Sequence, residues 1–408
     1  MIEESKQYWN KKLPFYLDFL HKMVAINSFT ENPSGVNELN RYTAKLFKGL
    51  GFSAEVIPSV HAHYGSHLVL TKEGKREASI GLISHLDTVF TKEEEEKNNF
   101  RWREEGDRIY GPGTNDIKGG TMMIYMLLDA LKHLATDYFE GVTWKILLDA
   151  SEEDDARDFG KICLDQLSEN GVAGLVFECG NIDQDKFSLV VARKGRAMLK
   201  VSVDGKSAHA GTDHHKGASA ILQLSEAIKT IETVTDYARD ITVNVGMVSG
   251  GLVTNRVPHH AEAFFEMRAF SRDAYDDAMK QLLELKDLSI VTSYDEKFSC
   301  HVEVQCLRET PPWPRNEQTD HLFSIWKKTA EYLGYSGMME ERGGVSDANL
   351  ICHKIPVIDG LGPAGDNSHC SVQSDDGTKE QEYISISSII PKASHNLLAI
   401  CHLIDSLS

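Results

Sequence analysis

The sequence lacks what would staple or anchor it. Cysteine occurs seven times in 408 residues, an odd number with no Cys-x-x-Cys pair. A disulfide framework or a cysteine metal knuckle is therefore not expected, and reduced thiols in a cytoplasmic protein are. No apolar run approaches the roughly 18–20 residues that cross a bilayer. The longest, at 122–128, has the length of a buried helix. The opening MIEESKQYWNKK is acidic at once and has no apolar core, so no secretory signal is visible. Positive charge is also scarce. There are 43 Lys and Arg against 61 Asp and Glu, a formal charge of −18. That balance argues against a nucleic-acid partner, which would need a basic face to neutralise phosphates. It argues equally against docking on anionic membranes. No internal repeat is present. The one low-complexity segment, KEEEEK at 92–97, is expected as a solvated loop or helix end.

What remains is globular, with 41% hydrophobic and 25% charged residues. The length suggests two or three domains. Short runs rich in Ile, Val and Leu at 80–84, 145–148, 174–177 and 355–358 read as strands buried on both faces. Helical patterns lie at 42–50, 120–133, 162–170 and 319–333. This alternation predicts an α/β domain with a mainly parallel central sheet. After about Gly195 the texture changes. Strand patterns at 197–203, 242–248, 261–269 and 301–307 enclose helices at 218–233 and 274–285. That β-α-β-β-α-β order predicts a small ferredoxin-like α+β domain. The Pro-rich stretch 310–314 would cross back. The first domain is thus expected to be discontinuous, 1–194 and 309–408, with an inserted domain at 195–308.

Ionisable groups cluster just past the predicted buried strands, where open α/β sheets place ligands. His85 and Asp87 follow the first, Glu152 and Glu153 the second, and Glu178 the third. A Gly-rich loop ending Asn367-Ser368-His369 follows the fourth, and Gly111-Pro112-Gly113-Thr114-Asn115-Asp116 lies between the first two. Each alone has an ordinary explanation, such as a surface histidine, a helix cap or loop charges. Together, two histidines and at least three carboxylates at one sheet edge would repel unless a cation neutralised them. Histidine and carboxylate without cysteine fits a catalytic zinc site better than a structural one. His85 and Asp87 are two apart, so an extended chain turns both to one side and Asp87 can orient the imidazole. Adjacent Glu152 and Glu153 must point differently, so one can hold metal while the other serves as general base. Asp116 could bridge two metals about 3.5–4 Å apart.

SHLDTV, GPGTNDIKGG, SEED, FE and a late GDNSH resemble the co-catalytic zinc metallopeptidase family of carboxypeptidase G, acetylornithine deacetylase, succinyl-diaminopimelate desuccinylase and aminoacylase. The resemblance spans nearly the whole chain in order and is greatest to the glutamate carboxypeptidase branch. It implies that His85, Asp116 and Glu178 hold one zinc and that Asp116, Glu153 and His369 hold the other. Glu152 would be the general base, with Asp87 supporting His85. Lys206-Ser207-Ala208-His209-Ala210-Gly211 resembles the family's SHAG segment. Its histidine polarises the substrate carbonyl, in dimeric members from the partner subunit. Asn255 and Arg268 match positions that bind the substrate carboxylate, and Lys186 falls where that branch has a substrate-side lysine. Gly343, Gly344, Ser346 and Asp347 resemble a GG-T-D-A loop lining the pocket. The inserted domain would be a lid and dimerisation domain, and a homodimer is implied. The chain departs from the family at Asp154-Asp155-Ala156-Arg157-Asp158, where a Gly-Ser turn is usual. It departs again at Thr310, near a further substrate arginine of that branch, and in the long acidic stretch 371–382.

Rival motifs fail. Gly205-Lys206-Ser207 mimics the end of a phosphate loop, but Lys200 occupies its first glycine position. Cys370 beside His369 has no nucleophile elbow around it. The expectation is a dizinc hydrolase, with cobalt or manganese also compatible. It would cleave an amide bond beside a free carboxylate, in a small peptide or an N-acyl amino acid. The alternative in the same chemistry is an N-acyl-amino-acid deacylase. A non-catalytic metal- or peptide-binding scaffold would be free to lose Glu152, which is intact.

Overall fold

The computed structural model describes residues 2–167 and 169–407. The chain divides into two compact units. One comprises the described residues of Met1–Val191, Arg315–Glu341 and Ser346–Ser408, and the other Ala192–Pro314 with Arg342–Val345. Nothing in the local pattern sets Arg342–Val345 apart from its surroundings, yet it belongs to the second unit.

The first unit is α/β with a mainly parallel sheet, as the alternation predicts. Its central strand, Ser79–His85, is buried at every position. It pairs in parallel with Thr143–Asp149 on one side and Gly171–Val176 on the other, and Val357–Ile358 continues the parallel run. Ser66–Lys72 and then Ser53–Pro58 extend the other edge antiparallel. The outer of the two escapes the sequence pattern because it is almost wholly exposed. The C-terminal ends of the parallel strands deliver His85, the 149–153 loop and the 176–178 loop to one edge.

Helix Gly119–Leu134 is apolar nearly all round and buried over most of its length, as such a helix must be. The long N-terminal helix Ile2–Val24 packs on it through Trp9, Tyr16, Phe19, Leu20 and Met23. Fully burying a large apolar side chain contributes about 1.5–3 kcal/mol. Asp129 is the one acid in the buried helix, and the N-terminal helix satisfies it. Tyr16 donates to its Oδ2 at 2.6 Å, Tyr8 at 3.1 Å, and the Lys12 ammonium is also in contact.

A smaller antiparallel sheet in the same unit runs Gly365–Asp366, Tyr383–Ser385, Arg108–Tyr110, Arg103–Glu105. Tyr383 lies opposite both Asp366 and Tyr110. The chain after Tyr110, the chain after Asp366 and the chain before Tyr383 therefore leave the sheet at one end. The KEEEEK segment is a short helix, Lys92–Lys97, with Thr91 capping the Glu94 amide.

The second unit is a four-stranded sheet in the order Thr242–Gly250, His260–Ala269, Gly195–Asp204, His301–Thr310, every neighbour antiparallel. Helices Ala220–Glu232 and Arg272–Leu283 interrupt the strands as predicted. This strand order is that of the ferredoxin-like fold. Gly195–Asp204 alternates buried and half-buried residues, the signature of a sheet covered on one face.

Asp129 supports a prediction. Asp129→Ala leaves the Tyr16 hydroxyl buried without its acceptor and should cost about 3 kcal/mol of unfolding free energy. Urea denaturation measures this, and a loss under about 1 kcal/mol would contradict the role given to the contact.

Candidate metal centre

Seven side chains of the first unit meet at the sheet edge. His85 ends its strand fully buried, and its Nε2 lies 3.0 Å from Asp116 Oδ1 and 3.8 Å from Glu178 Oε1. Asp116 turns its other oxygen to the second histidine, with Oδ2 3.3 Å from His369 Nε2. That same nitrogen is 3.1 Å from Glu153 Oε2. One carboxylate thus reaches two imidazoles, and each imidazole has a further carboxylate beside it.

Asp87 holds the frame. Its Oδ1 is 3.4 Å from His85 Nδ1, and its backbone carbonyl is 3.0 Å from the same nitrogen. The two carboxylate oxygens also accept the amides of Glu152 at 3.1 Å and Glu153 at 3.2 Å, and Thr30 donates to Oδ2 at 2.7 Å. The imidazole face and the glutamate loop are therefore fixed by one buried side chain. His369 reaches in from a loop where Asn367 and His369 both take left-handed backbone, at φ 61 and 67. Such residues cluster where a site demands a sharp turn.

The electrostatics point to a cation. Burial, with the charges of Glu178, Glu153 and Asp116, pushes the Glu152 carboxyl well above the carboxylate range, and His85 offsets only part of it. Burial and Asp116 push Glu153 up to about 7. Burial disfavours charge on His85, but Asp116 and Asp87 outweigh it and raise its pKa well above the ordinary value. Hydrogen bonds to Asp116 and Glu153 raise His369 to about 11. A divalent cation among these groups would reverse the carboxylate shifts.

The residues fit such a group. Glu153 Oε1 is buried without a hydrogen-bond partner. His85, Asp116 and Glu153 each offer a ligand atom within 4.8 Å of the others. Ligands 2.0–2.2 Å from a tetrahedral ion stand about 3.4 Å apart, and the contacts above span 3.0–3.8 Å.

Of the remaining candidates in the first unit, Asp347 lies within electrostatic reach of Glu152, His85 and Glu178. Lys186 is exposed at the start of its strand. Ser346 is buried and its hydroxyl donates to Asp359 Oδ2 at 3.0 Å. Asp347 is buried too, and burial with the charge of Asp149 pushes its carboxyl well up.

Within the second unit, His209 Nδ1 accepts the amides of Gly211 and Thr212 at 3.1 and 3.2 Å. The ring proton is then on Nε2, as a donor on an exposed ring. The Ala210 amide donates to Asn255 O at 3.0 Å, so the His209 and Asn255 loops run together. Arg268 pairs with Glu266 at 2.9 Å and donates to Gly343 O at 2.8 Å, while Arg193 holds Gly344 O at 3.1 Å.

Sequence reasoning missed the buried supports. Glu382 accepts the Asn115 and Asp116 amides, and Lys118 is fully buried, with burial bringing it down to about 8. Lys118 sits inside the GPGTNDIKGG motif and could have been suspected. Glu382 ends an acidic stretch and gives no local signal.

Two histidines sharing one carboxylate, ringed by further carboxylates at the edge of a mainly parallel sheet, form the candidate metal centre of a hydrolase. Residues 81–389 match the peptidase family M20/M25/M40, and the chain belongs to that family. It is an enzyme of the metallopeptidase and amidohydrolase class. The chain is 29% identical over 384 residues to carboxypeptidase G2 of Pseudomonas sp., covering 92% of this chain and 86% of that one. It is 25% identical over 319 residues to acetylornithine deacetylase of Pasteurella multocida, covering 74% and 79%. The fold is shared with a tripeptidase from Staphylococcus aureus, at TM-score 0.74 and 22% identity over 96% of this chain and 98% of that one. It is also shared with a dinuclear metal binding peptidase from Bacillus subtilis, at TM-score 0.66 and 13% identity over 96% and 99%. No described helix is long and apolar enough to cross a membrane.

Behind the glutamate loop, His67 is fully buried between Asp149 at 3.0 Å and Asp158 at 3.1 Å. Burial opposes its charge, but the two carboxylates prevail and raise it to about 10. An unfolded histidine titrates near 6.5. The stabilisation is therefore complete below about pH 6.5 and is lost as pH rises through about 10. Relative to wild type, His67→Gln should lose roughly 3 kcal/mol at pH 6, and the deficit should shrink towards pH 10. Urea unfolding across that range reads it, and a deficit that stays constant or grows would refute the charged state.

Proposed function

We propose that the protein is a zinc-dependent hydrolase that cleaves an amide bond next to a free carboxylate, in the manner of a glutamate carboxypeptidase. The observation that carries this reading is the Asp116 carboxylate set between His85 and His369 with Glu152 on the adjoining loop. His85, Asp116 and Glu178 would hold one zinc, and Asp116, Glu153 and His369 the other. When bound, the ions would acidify the attacking water and polarise the substrate carbonyl. Glu152 would take the proton of the attacking water as general base and later give it to the leaving amine. Its place on the loop whose amides Asp87 holds keeps that carboxyl beside the metal ligands through both halves of the exchange. Asp87 keeps the His85 ring and the Glu152 amide in place. His209 donates its Nε2 proton towards the carbonyl oxygen, where negative charge develops. Asn255 and Arg268 take the substrate carboxylate, with Arg268 exchanging its Glu266 partner for it, and Lys186, Gly344 and Ser346 belong to the substrate side. Cys163, Cys300, Cys352, Cys370 and Cys401 are free thiols, which supports a cytoplasmic location.

Zinc removal by a chelator should abolish turnover, and zinc should restore it. Glu152→Gln should keep its metal and lose about 10²–10⁴-fold in kcat. A panel of dipeptides and N-acyl amino acids separates carboxypeptidase from deacylase. Near wild-type turnover of metal-loaded Glu152→Gln would sink the mechanism.

The second unit is proposed to form the homodimer. Thr242–Gly250 is an edge strand of its sheet, and Met247, Val248, Leu252 and Val253 beside it are 57–75% exposed. An apolar edge of this kind is a template for pairing with a second copy. Light scattering should find a dimer for wild type and a monomer for a Met247→Asp, Val248→Asp double variant. A monomeric wild type would contradict the assignment.

A further inference from the structure

We infer that Glu382 is a positioning residue that sets the bridging carboxylate of Asp116 against His369, through hydrogen-bond acceptance and not through its charge. The inference rests on the two-ion reading above.

Glu382 has no solvent exposure. Its Oε1 accepts two consecutive amides, Asn115 N at 2.9 Å and Asp116 N at 3.2 Å. The turn that presents the shared ligand is thereby held at the residue itself. The Glu382 backbone holds the other side. Its amide donates to Cys370 O at 2.8 Å, directly after His369, and its carbonyl accepts from Gly111 N at 3.4 Å. A third link closes the ring, because Asn115 Nδ2 donates to Ser368 Oγ at 2.9 Å, directly before His369. The two ligand-bearing loops are thus tied through Glu382 and through each other.

The small antiparallel sheet explains why this residue can do so. Glu382 precedes Tyr383, which lies opposite both Tyr110 and Asp366, the last strand residues before the two ligand loops. The packing there has no slack. A Cβ at Gly365 would stand 2.4 Å from Asn115 Oδ1 and 2.1 Å from Tyr383 O. Glu382 Oε2, by contrast, is buried without a hydrogen-bond partner, so no described group depends on the second oxygen. Only Oε1 acts on the metal loops, and an amide oxygen in its place accepts the same two bonds.

Calorimetric titration of the metal-stripped full-length protein with Co²⁺ alone, with the visible spectrum of the bound ion, tests this without turnover. Wild type should take two equivalents. Glu382→Ala should bind the ion shared with His369 about 10–100-fold more weakly and with an altered spectrum, while Glu382→Gln stays within about threefold of wild type. Glu382→Ala with the wild-type isotherm and spectrum overturns the inference, and so does Glu382→Gln weakened as far as Glu382→Ala. If Glu382→Ala does not fold, Ser368→Ala removes only the third link and should weaken the same ion by a smaller factor, and an unchanged isotherm would overturn the proposal. A wild type that fails to take two equivalents removes the two-ion reading and this inference with it. Loss confined to the variants' behaviour leaves that reading standing.

Discussion

Everything in the first unit turns on one carboxylate placed between two imidazoles. Asp116 meets His85 through one oxygen and His369 through the other, at 3.0 and 3.3 Å. Two cationic partners hold it charged against its burial, while the same burial drives Glu152 and Glu153 towards the neutral form. A cluster so divided is unstable as a set of bare charges. It becomes consistent when positive charge of higher valence sits among the oxygens. The fold's task is to hold these groups together against their repulsion.

Two sheets accomplish this from different directions. The parallel sheet ends three strands at one edge and so brings His85, the glutamate loop and Glu178 together. Asp87 then locks two of those loops by accepting from both glutamate amides and facing the histidine. The small antiparallel sheet supplies the other half, because Arg108–Tyr110 and Gly365–Asp366 flank Tyr383–Ser385 and release their loops at one end. The N-terminal helix, anchored on Asp129, buttresses the helix that leaves the Asp116 turn. Stability and site are coupled through that helix.

Much of this was legible in the amino-acid order. Strands such as Ser79–His85 announce themselves because burial on both faces demands an unbroken apolar run. The second unit was legible because its strands alternate and its helices carry one apolar stripe. The positions proposed as metal ligands stand out in the sequence because each lies at the end of such a strand or in a glycine-rich turn, and the motifs arrive in family order. The exposed edge strand Ser53–Pro58 had no apolar pattern to read. The helix Ile2–Val24 was hidden by charges that dilute its buried stripe. His67, Lys118 and Glu382 were illegible for a deeper reason. A buried charge looks in sequence like any surface charge, and only its partners, distant in the chain, give it meaning. Arg268 shows the converse. Its motif suggested a substrate contact, and the structure adds its Glu266 partner.

The central claim is that Asp116 bridges two metal ions, and diffraction from zinc-loaded crystals at the zinc absorption edge tests it most directly. Two anomalous peaks are expected, one beside His85 and Glu178 and one beside His369 and Glu153, about 3.5–4 Å apart with Asp116 between them. A single peak, or two peaks that do not share Asp116, would contradict it.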